Sequence, residues 1–238
     1  MSQGLSEEEL KVLIYEKEME CPLCKGKIIK KCVKGSRNRL IRTDVDLCPH
    51  YHKVNPLFYE VIVCEYCGFA QLNKKDEMPT PAEGELICKN VCMNFTQRHY
   101  HTFYTAEEAV ERYKLALVNA IARNGTMGER AYILLKMAWV YREMEKQEEE
   151  IDHLIKARKA FMIAYQSEEF PIFELQEVVV TYLVAAISYE IGEYKEAKKW
   201  LSPLMMNKKL EVKLKDRCLV LKDMINKKIS EENQKKNI

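Results

Sequence analysis

The sequence predicts an α+β protein in which a small N-terminal β domain is followed by an all-α domain of helical hairpins. Eight of the nine cysteines lie before residue 93, in a region of short β-prone runs separated by turn residues. The rest of the chain is rich in Met, Leu, Ala, Glu and Lys, with apolar residues at helical spacing. This shift in composition predicts a change of architecture.

Composition limits the class of protein. The 238 residues include 47% hydrophobic and 31% charged residues, which is enough apolar material for a folded core. The net charge of +2 provides no overall attraction to nucleic acid or anionic lipid. No apolar run approaches the roughly 20 residues that cross a bilayer, and the acidic start lacks the layout of a secretory signal. We therefore expect a cytoplasmic protein that makes no membrane contact and keeps its cysteines reduced.

Three runs in the first part have strand character, and turn residues Gly35 and Asn38 separate the first two: residues 27–33, 40–43 and 58–64. We expect residues 27–43 to form a hairpin. Prolines and a glycine in residues 78–84 indicate a connector. The predicted division is a β domain over 1–78, a helical domain over 79–230 and a flexible tail over 231–238.

Helical periodicity predicts seven helices, over residues 81–95, 106–122, 129–145, 148–166, 174–191, 194–206 and 212–228. Thr105 and Glu108 form a capping box that marks the start of the second helix. Residues 181–204 partly fit a tetratricopeptide hairpin, because Ala185 and Ala197 allow close helix packing and Gly192 allows the turn. Ser188 departs from that pattern, which usually has an aromatic there. We predict a tetratricopeptide-like domain.

Two Cys-x-x-Cys motifs, Cys21/Cys24 and Cys64/Cys67, are each followed by a glycine. Such a turn points two thiolates at one centre, and four thiolates give the closed tetrahedral coordination that suits Zn²⁺. The motifs predict one structural Zn²⁺ in a zinc-ribbon-like domain, with no catalytic residues. The alternatives are a dithiol redox pair and a set of reduced surface thiols.

Other potential ligands fall into two groups, and a second site would form if these groups met in the fold. The first group is Cys48, His50 and His52, and the second is Cys88, Cys92, His99 and His101. The alternative for Cys88 and Cys92 is a pair of small core residues one helical turn apart. His99 and His101 lie at a helix boundary, where side chains are commonly exposed.

Several segments together resemble the bacterial family of unknown function numbered 2225. They are the first Cys-x-x-Cys motif, DLCPHY (46–51), NPLFY (55–59), VIVCEYCGFA (61–70) and, in the helical half, Leu135, Ala138, Trp139, Tyr141 and Arg142. The resemblance covers nearly the whole chain. It implies a zinc-ribbon-type N-terminus followed by tetratricopeptide-like helices, and it brings no activity. The family pattern includes Cys48, whereas His52, Cys88, Cys92 and His101 look peculiar to this sequence.

Two binding functions fit these features. The first is an adaptor whose helical domain binds a protein or peptide, with aromatic residues that either line the surface or fill the core: Tyr132, Trp139, Tyr141, Phe161, Tyr165, Tyr182 and Tyr189. The second is nucleic-acid binding, because residues 21–53 contain nine Lys and Arg against two Asp. Arg37, Arg39 and Arg42 would then contact phosphates. Nothing in the sequence fixes the oligomeric state.

An enzyme is the third and least favoured function, because the chain has no Gly-rich phosphate loop, no G-x-S-x-G elbow and no H-E-x-x-H motif. The one compact polar cluster is Asp44, Asp46, Cys48 and His50, which could perform acid–base or thiol chemistry. The alternative is that these residues tether a loop against the ribbon.

Overall fold

The computed structural model describes residues 6–73 and 78–236, and small strand pairs followed by a helical part confirm the α+β class. The strands are β1 (Ile14–Glu20), β2 (Lys27–Val33), β3 (Leu40–Thr43), β4 (Pro49–Tyr51), β5 (Val61–Val63) and β6 (Ala70–Leu72). The α-helices are α1 (Glu7–Leu13), α2 (Pro81–Asn90), α3 (Ala106–Ala122), α4 (Met127–Glu143), α5 (Gln147–Ser167), α6 (Glu177–Glu190), α7 (Tyr194–Met206) and α8 (Val212–Lys236).

The strands form three separate antiparallel pairs, β1 with β2, β3 with β4 and β5 with β6. The expected hairpin over residues 27–43 is wrong, since β2 and β3 belong to different pairs. Asn38 explains the difference. Its buried side chain donates to the Val54 carbonyl at 2.7 Å and accepts from the amides of Lys53 and Val54, which directs β3 toward β4.

Helices α2 to α8 correspond to the seven expected helices, and two of them, α3 and α7, match at both ends, whereas α1 was not expected. The expected helix over 81–95 ends at Asn90 and is followed by a 3₁₀ turn, Cys92–Asn94. A 3₁₀ helix, Pro56–Tyr59, replaces the first part of the expected strand over 58–64. Helix α8 continues to Lys236, into the expected tail, and residues 237–238 lie outside the described residues.

One apolar core runs through both parts of the chain, and helix α3 links them because it contacts β5, β6 and α4. Polar side chains of α3 also bind the backbone of the β part. Tyr113 donates to the Leu57 carbonyl at 2.9 Å, and Asn119 donates to the Gly68 carbonyl at 3.0 Å. The β and helical parts therefore share a core across residue 78, and the division into two domains stays a prediction.

The helical part contains adjacent helices with short connections that pack against each other, α4 with α5 and α6 with α7. Short connections favour antiparallel neighbours. Ala185 of α6 and Ala197 of α7 are fully buried in one cluster, and Gly192 between the helices has φ of +82°, as the turn requires. Across the described ranges, every helix is too short or too polar to cross a membrane.

Candidate metal centre

The first cysteine knuckle connects β1 to β2. The amide of Cys21 donates to the Gly26 carbonyl at 2.8 Å, and the amide of Lys25 donates to the Cys21 carbonyl at 3.1 Å. The left-handed residue of this turn is Lys25, with φ of 62°. Gly26 is needed for a different reason: a Cβ there would lie 3.3 Å from the Cys24 sulfur and 3.1 Å from the Tyr66 ring.

The second knuckle connects β5 to β6 and repeats the same backbone pattern. The amide of Cys64 donates to the Phe69 carbonyl at 2.8 Å, and the amide of Gly68 donates to the Cys64 carbonyl at 3.0 Å. Gly68 has φ of 77°, and a Cβ on it would lie 2.5 Å from the Phe95 ring. The two motifs therefore form equivalent turns that present their thiols in the same way.

The four thiols converge. All four sulfurs lie within 4.8 Å of one another, and the pairs Cys21–Cys67 and Cys24–Cys64 are each 3.6 Å apart. These short contacts join sulfurs of different motifs, which favours one four-ligand centre over two separate dithiols. A tetrahedral ion with metal–sulfur bonds of about 2.3 Å requires sulfurs about 3.8 Å apart. The group could therefore hold a metal ion.

The electrostatics of the centre also favour a cation. Hydrogen bonds from Cys21 and Cys67 lower the pKa of Cys64, whereas the hydrogen bond with Cys64 raises the pKa of Cys21. One thiolate is thus stabilised by its protonated neighbours, and further thiolates repel it. A bound dication would offset this repulsion and allow all four sulfurs to ionise.

The second group of potential ligands is occupied by protein contacts. Atoms of Asp44, Cys48 and His50 lie within 4.8 Å of one another. However, His50 Nε2 is 2.5 Å from the Asp44 carboxylate, which also pairs with Arg42 and, at 3.1 Å, with Arg142. Two guanidinium groups on one carboxylate oppose the binding of a cation. Burial raises the pKa of the Cys48 thiol, which disfavours a nucleophilic thiolate.

A neighbouring carboxylate explains what this loop does. Asp46 is fully buried and accepts 2.8 Å hydrogen bonds from Trp139 Nε1 and from Arg142 Nη2. Arg142 also donates through Nε to Glu150 at 2.7 Å. We call the five residues Asp44, Asp46, Trp139, Arg142 and Glu150 the Asp46 junction. The loop is thus tethered to α4. The sequence analysis had instead placed this tether against the ribbon.

The sequence analysis did not predict that Asp46 pairs with Trp139 and Arg142. Both segments involved, DLCPHY (46–51) and Trp139–Arg142, nevertheless belong to the motifs that carry the family resemblance. Of the two alternatives for the aromatic residues of the helical part, most follow the second and fill the core: Tyr132, Trp139, Tyr141, Phe161 and Tyr182 are buried.

The remaining candidates are dispersed. His99 Nδ1 lies 3.1 Å from Glu65, and His101 Nδ1 lies 2.8 Å from Glu108. In the described part of the chain, no group of three ligands joins these histidines to Cys48, His50 or His52. The three arginines expected to contact nucleic-acid phosphates, Arg37, Arg39 and Arg42, are all exposed. Arg42 forms an ion pair with Asp44.

The fold and site define an α+β protein with a candidate four-cysteine metal centre joined to a helical part. The chain belongs to the family described as "Uncharacterized protein conserved in bacteria (DUF2225)", whose model matches residues 14–225. This confirms the resemblance drawn from the sequence. No curated protein and no solved structure matches the chain.

Substitution of Arg142 by Met should destabilise the protein by about 3–5 kcal/mol, because it leaves the buried Asp46 carboxylate without its charged partner. Urea denaturation followed by far-ultraviolet circular dichroism measures this. The matched control is Arg158→Met, whose partner Glu193 is half exposed, and it should lose about 1 kcal/mol or less. Equal losses in the two variants would contradict a special role for the junction.

Glu190, at the end of α6, should make stability depend on pH. Burial raises its pKa to about 7, the charges of Asp46, Glu150 and Asp44 act in the same direction, and Arg142 opposes them. A carboxyl group with a raised pKa stabilises the fold at low pH, and this contribution is lost as the pH rises through that pKa.

Relative to Glu190→Gln, the wild type should therefore lose about 2 kcal/mol of unfolding free energy between about pH 4.5 and about pH 7, with little further change above that. Urea titrations at several pH values measure the difference. Glu148→Gln, an exposed glutamate on α5, should keep the wild-type profile. A Glu190→Gln profile parallel to the wild type would show that Glu190 titrates normally.

Proposed function

We propose that this protein is a non-enzymatic adaptor, stabilised by one structural Zn²⁺, whose helical part binds an acidic amphipathic helix of a partner protein. The proposal rests on an apolar groove between α7 and α8. Its volume is about 330 Å³, and its lining includes Leu201, Met205 and Met206 from α7 and Ile225 from α8.

Zn²⁺ is the favoured ion because the centre offers four sulfur ligands and two of them, Cys21 and Cys64, are fully buried. Tetrahedral sulfur coordination of this kind suits Zn²⁺ and leaves no open position for a substrate or a reactive water. The ion would then fix the two knuckles and perform no chemistry. The protonated Cys48 and the arginine-paired Asp44 support a non-catalytic protein.

The groove has the properties of a helix-binding surface. Met206 is 76% exposed, and methionine side chains adapt their shape to different apolar partners. Leu201 and Met205 lie one turn apart on α7, as the receiving face for a helix requires. Large exposed apolar side chains beside a groove cost solubility unless a partner covers them.

Charge complementarity identifies an acidic partner. Lys198 and Lys222 line the groove on its two sides. Residues 194–236 contain thirteen Lys and Arg but only six Asp and Glu, whereas the whole chain has a net charge of +2. The groove therefore lies in the basic part of a nearly neutral molecule, and carboxylates on the partner would be attracted to its edges.

Metal content tests the first half of this proposal. Purified protein should contain one Zn²⁺ per chain by elemental mass spectrometry, and Cys64→Ser should lose it because Cys64 is a buried ligand. Since α3 packs on both parts of the core, loss of the ion should lower the melting temperature of the whole chain in one transition. Cys32→Ser, outside the four-sulfur group, should keep the ion. Metal retained by Cys64→Ser would refute the centre.

Peptide binding tests the second half. A fluorescent acidic amphipathic peptide should bind the protein, and a basic peptide of the same apolar pattern should not. Met206→Glu should weaken binding about tenfold or more, because it places a carboxylate in the groove. Val118→Glu is the matched control, since Val118 is an exposed apolar residue on α3. Equal binding of both peptides, or an unaffected Met206→Glu, would overturn the proposal.

The same assay with a single-stranded oligonucleotide distinguishes the alternative partner. Nucleic-acid binding would fall steeply with salt and would weaken with Arg37→Glu/Arg39→Glu, while Met206→Glu would leave it unchanged. That pattern would replace the adaptor proposal by a nucleic-acid-binding one.

A further inference from the structure

A further pair of cysteines lies beside the four-cysteine centre. Cys88 belongs to α2, and Cys92 begins the 3₁₀ turn that follows it. Helix α2 packs closely on the first knuckle, since a Cβ on Gly84 would lie 3.1 Å from the Leu23 side chain. Ile87 of the same helix is fully buried in the cluster that contains Cys21 and Cys64. The helix therefore packs against the centre, and Cys88 and the following Cys92 lie at its C-terminal end.

Cys92 is adjacent to the centre itself. It packs against the same apolar cluster as Cys67. Burial and the neighbouring Cys88 raise the pKa of Cys92 to about 11, and the Cys67 side chain opposes that rise. Cys24 also acts on it electrostatically. Cys88 and Cys92 are both half-buried, so both can be reached from solvent.

The four knuckle sulfurs differ in their surroundings. Cys21 and Cys64 are fully buried, and each accepts hydrogen bonds from two backbone amides of its own knuckle. Cys24 is exposed and Cys67 is half-buried. The inner pair is thus enclosed by protein, whereas the residues of the outer pair are accessible to solvent.

We propose that Cys88 and Cys92 extend the four-cysteine centre to a six-cysteine site that accepts a second thiophilic dication, with Cys24 and Cys67 bridging the two ions. The proposal rests on the metal centre of the proposed function and adds a second ion to it. Soft thiolates select ions of this class, such as Zn²⁺ and Cd²⁺. Cys88 and Cys92 lie outside the group already within 4.8 Å, so their side chains must rotate inward on binding.

The charges balance. The second dication brings two positive charges, and Cys88 and Cys92 each release one proton as they form metal–sulfur bonds. The net charge of the site is therefore the same with one ion as with two. Because the outer ion is bound by the solvent-accessible sulfurs, it should bind after the inner ion and exchange before it. Such a site would make the protein respond to an excess of metal without unfolding.

Native mass spectrometry of the purified full-length chain, titrated with Cd²⁺ under reducing conditions, tests the proposal. We expect two Cd²⁺ ions in the wild type and one in Cys88→Ser/Cys92→Ser. The control Cys32→Ser/Cys218→Ser, which removes two cysteines outside the site, should still bind two. Two ions in Cys88→Ser/Cys92→Ser, or one ion in the saturated wild type, would overturn the second site alone. A wild type without any ion would overturn the metal centre itself.

Alkylation of the wild type provides a measurement that needs no variant. Iodoacetamide labelling followed by peptide mass spectrometry should show Cys24 and Cys67, the accessible ligands, protected by the first equivalent of Cd²⁺. Cys88 and Cys92 should become protected only with the second equivalent. Continued labelling of Cys88 and Cys92 at saturating Cd²⁺ would overturn the second site even if the double variant fails to fold.

Discussion

The buried Asp46 carboxylate is the constraint on which the arrangement of the two parts depends. A charged group without solvent is costly unless hydrogen bonds and an opposite charge offset its desolvation. Trp139 and Arg142 of α4 supply both. The loop around Asp46 is further held by Tyr182 of α6, which donates to the Val45 carbonyl at 2.8 Å. The loop can therefore adopt this conformation only when the helices are in place, and the position of β3 and β4 follows from it.

The four-cysteine cluster would connect the β part internally if it holds a metal ion. Three separate strand pairs cannot form a stable sheet by themselves, since an isolated two-stranded hairpin is marginal in water. The centre joins the knuckle after β1 to the knuckle after β5, and α3 covers β5 and β6. The β part thus shares its core with the helices, and a metal ion held by the four cysteines would connect its strand pairs.

Features encoded locally were predictable from the sequence. The two Cys-x-x-Cys motifs identified the four sulfurs that converge, and the capping box of Thr105 and Glu108 located the start of α3. Features that depend on distant partners were not. Strand β1 was missed because it is largely exposed and lacks the apolar alternation of a strand. Asn38 looked like a turn residue, and only its bonds to residues 53 and 54 reveal its role. Asp46 and Trp139 are 93 positions apart in the sequence, so no local pattern predicts the hydrogen bond between them.

The core shared across residue 78 has a consequence for the amount of protein in a cell. If Zn²⁺ occupies the centre as proposed, part of its binding free energy is folding free energy for the whole chain, including helices that carry none of the four cysteines. A chain made during zinc shortage would then be a marginally stable molecule rather than one with a single missing domain. Chaperones and proteases remove such molecules when stability falls by even a few kcal/mol. We therefore expect cellular abundance to follow zinc supply, so that a structural ion would also set how much of the protein is present.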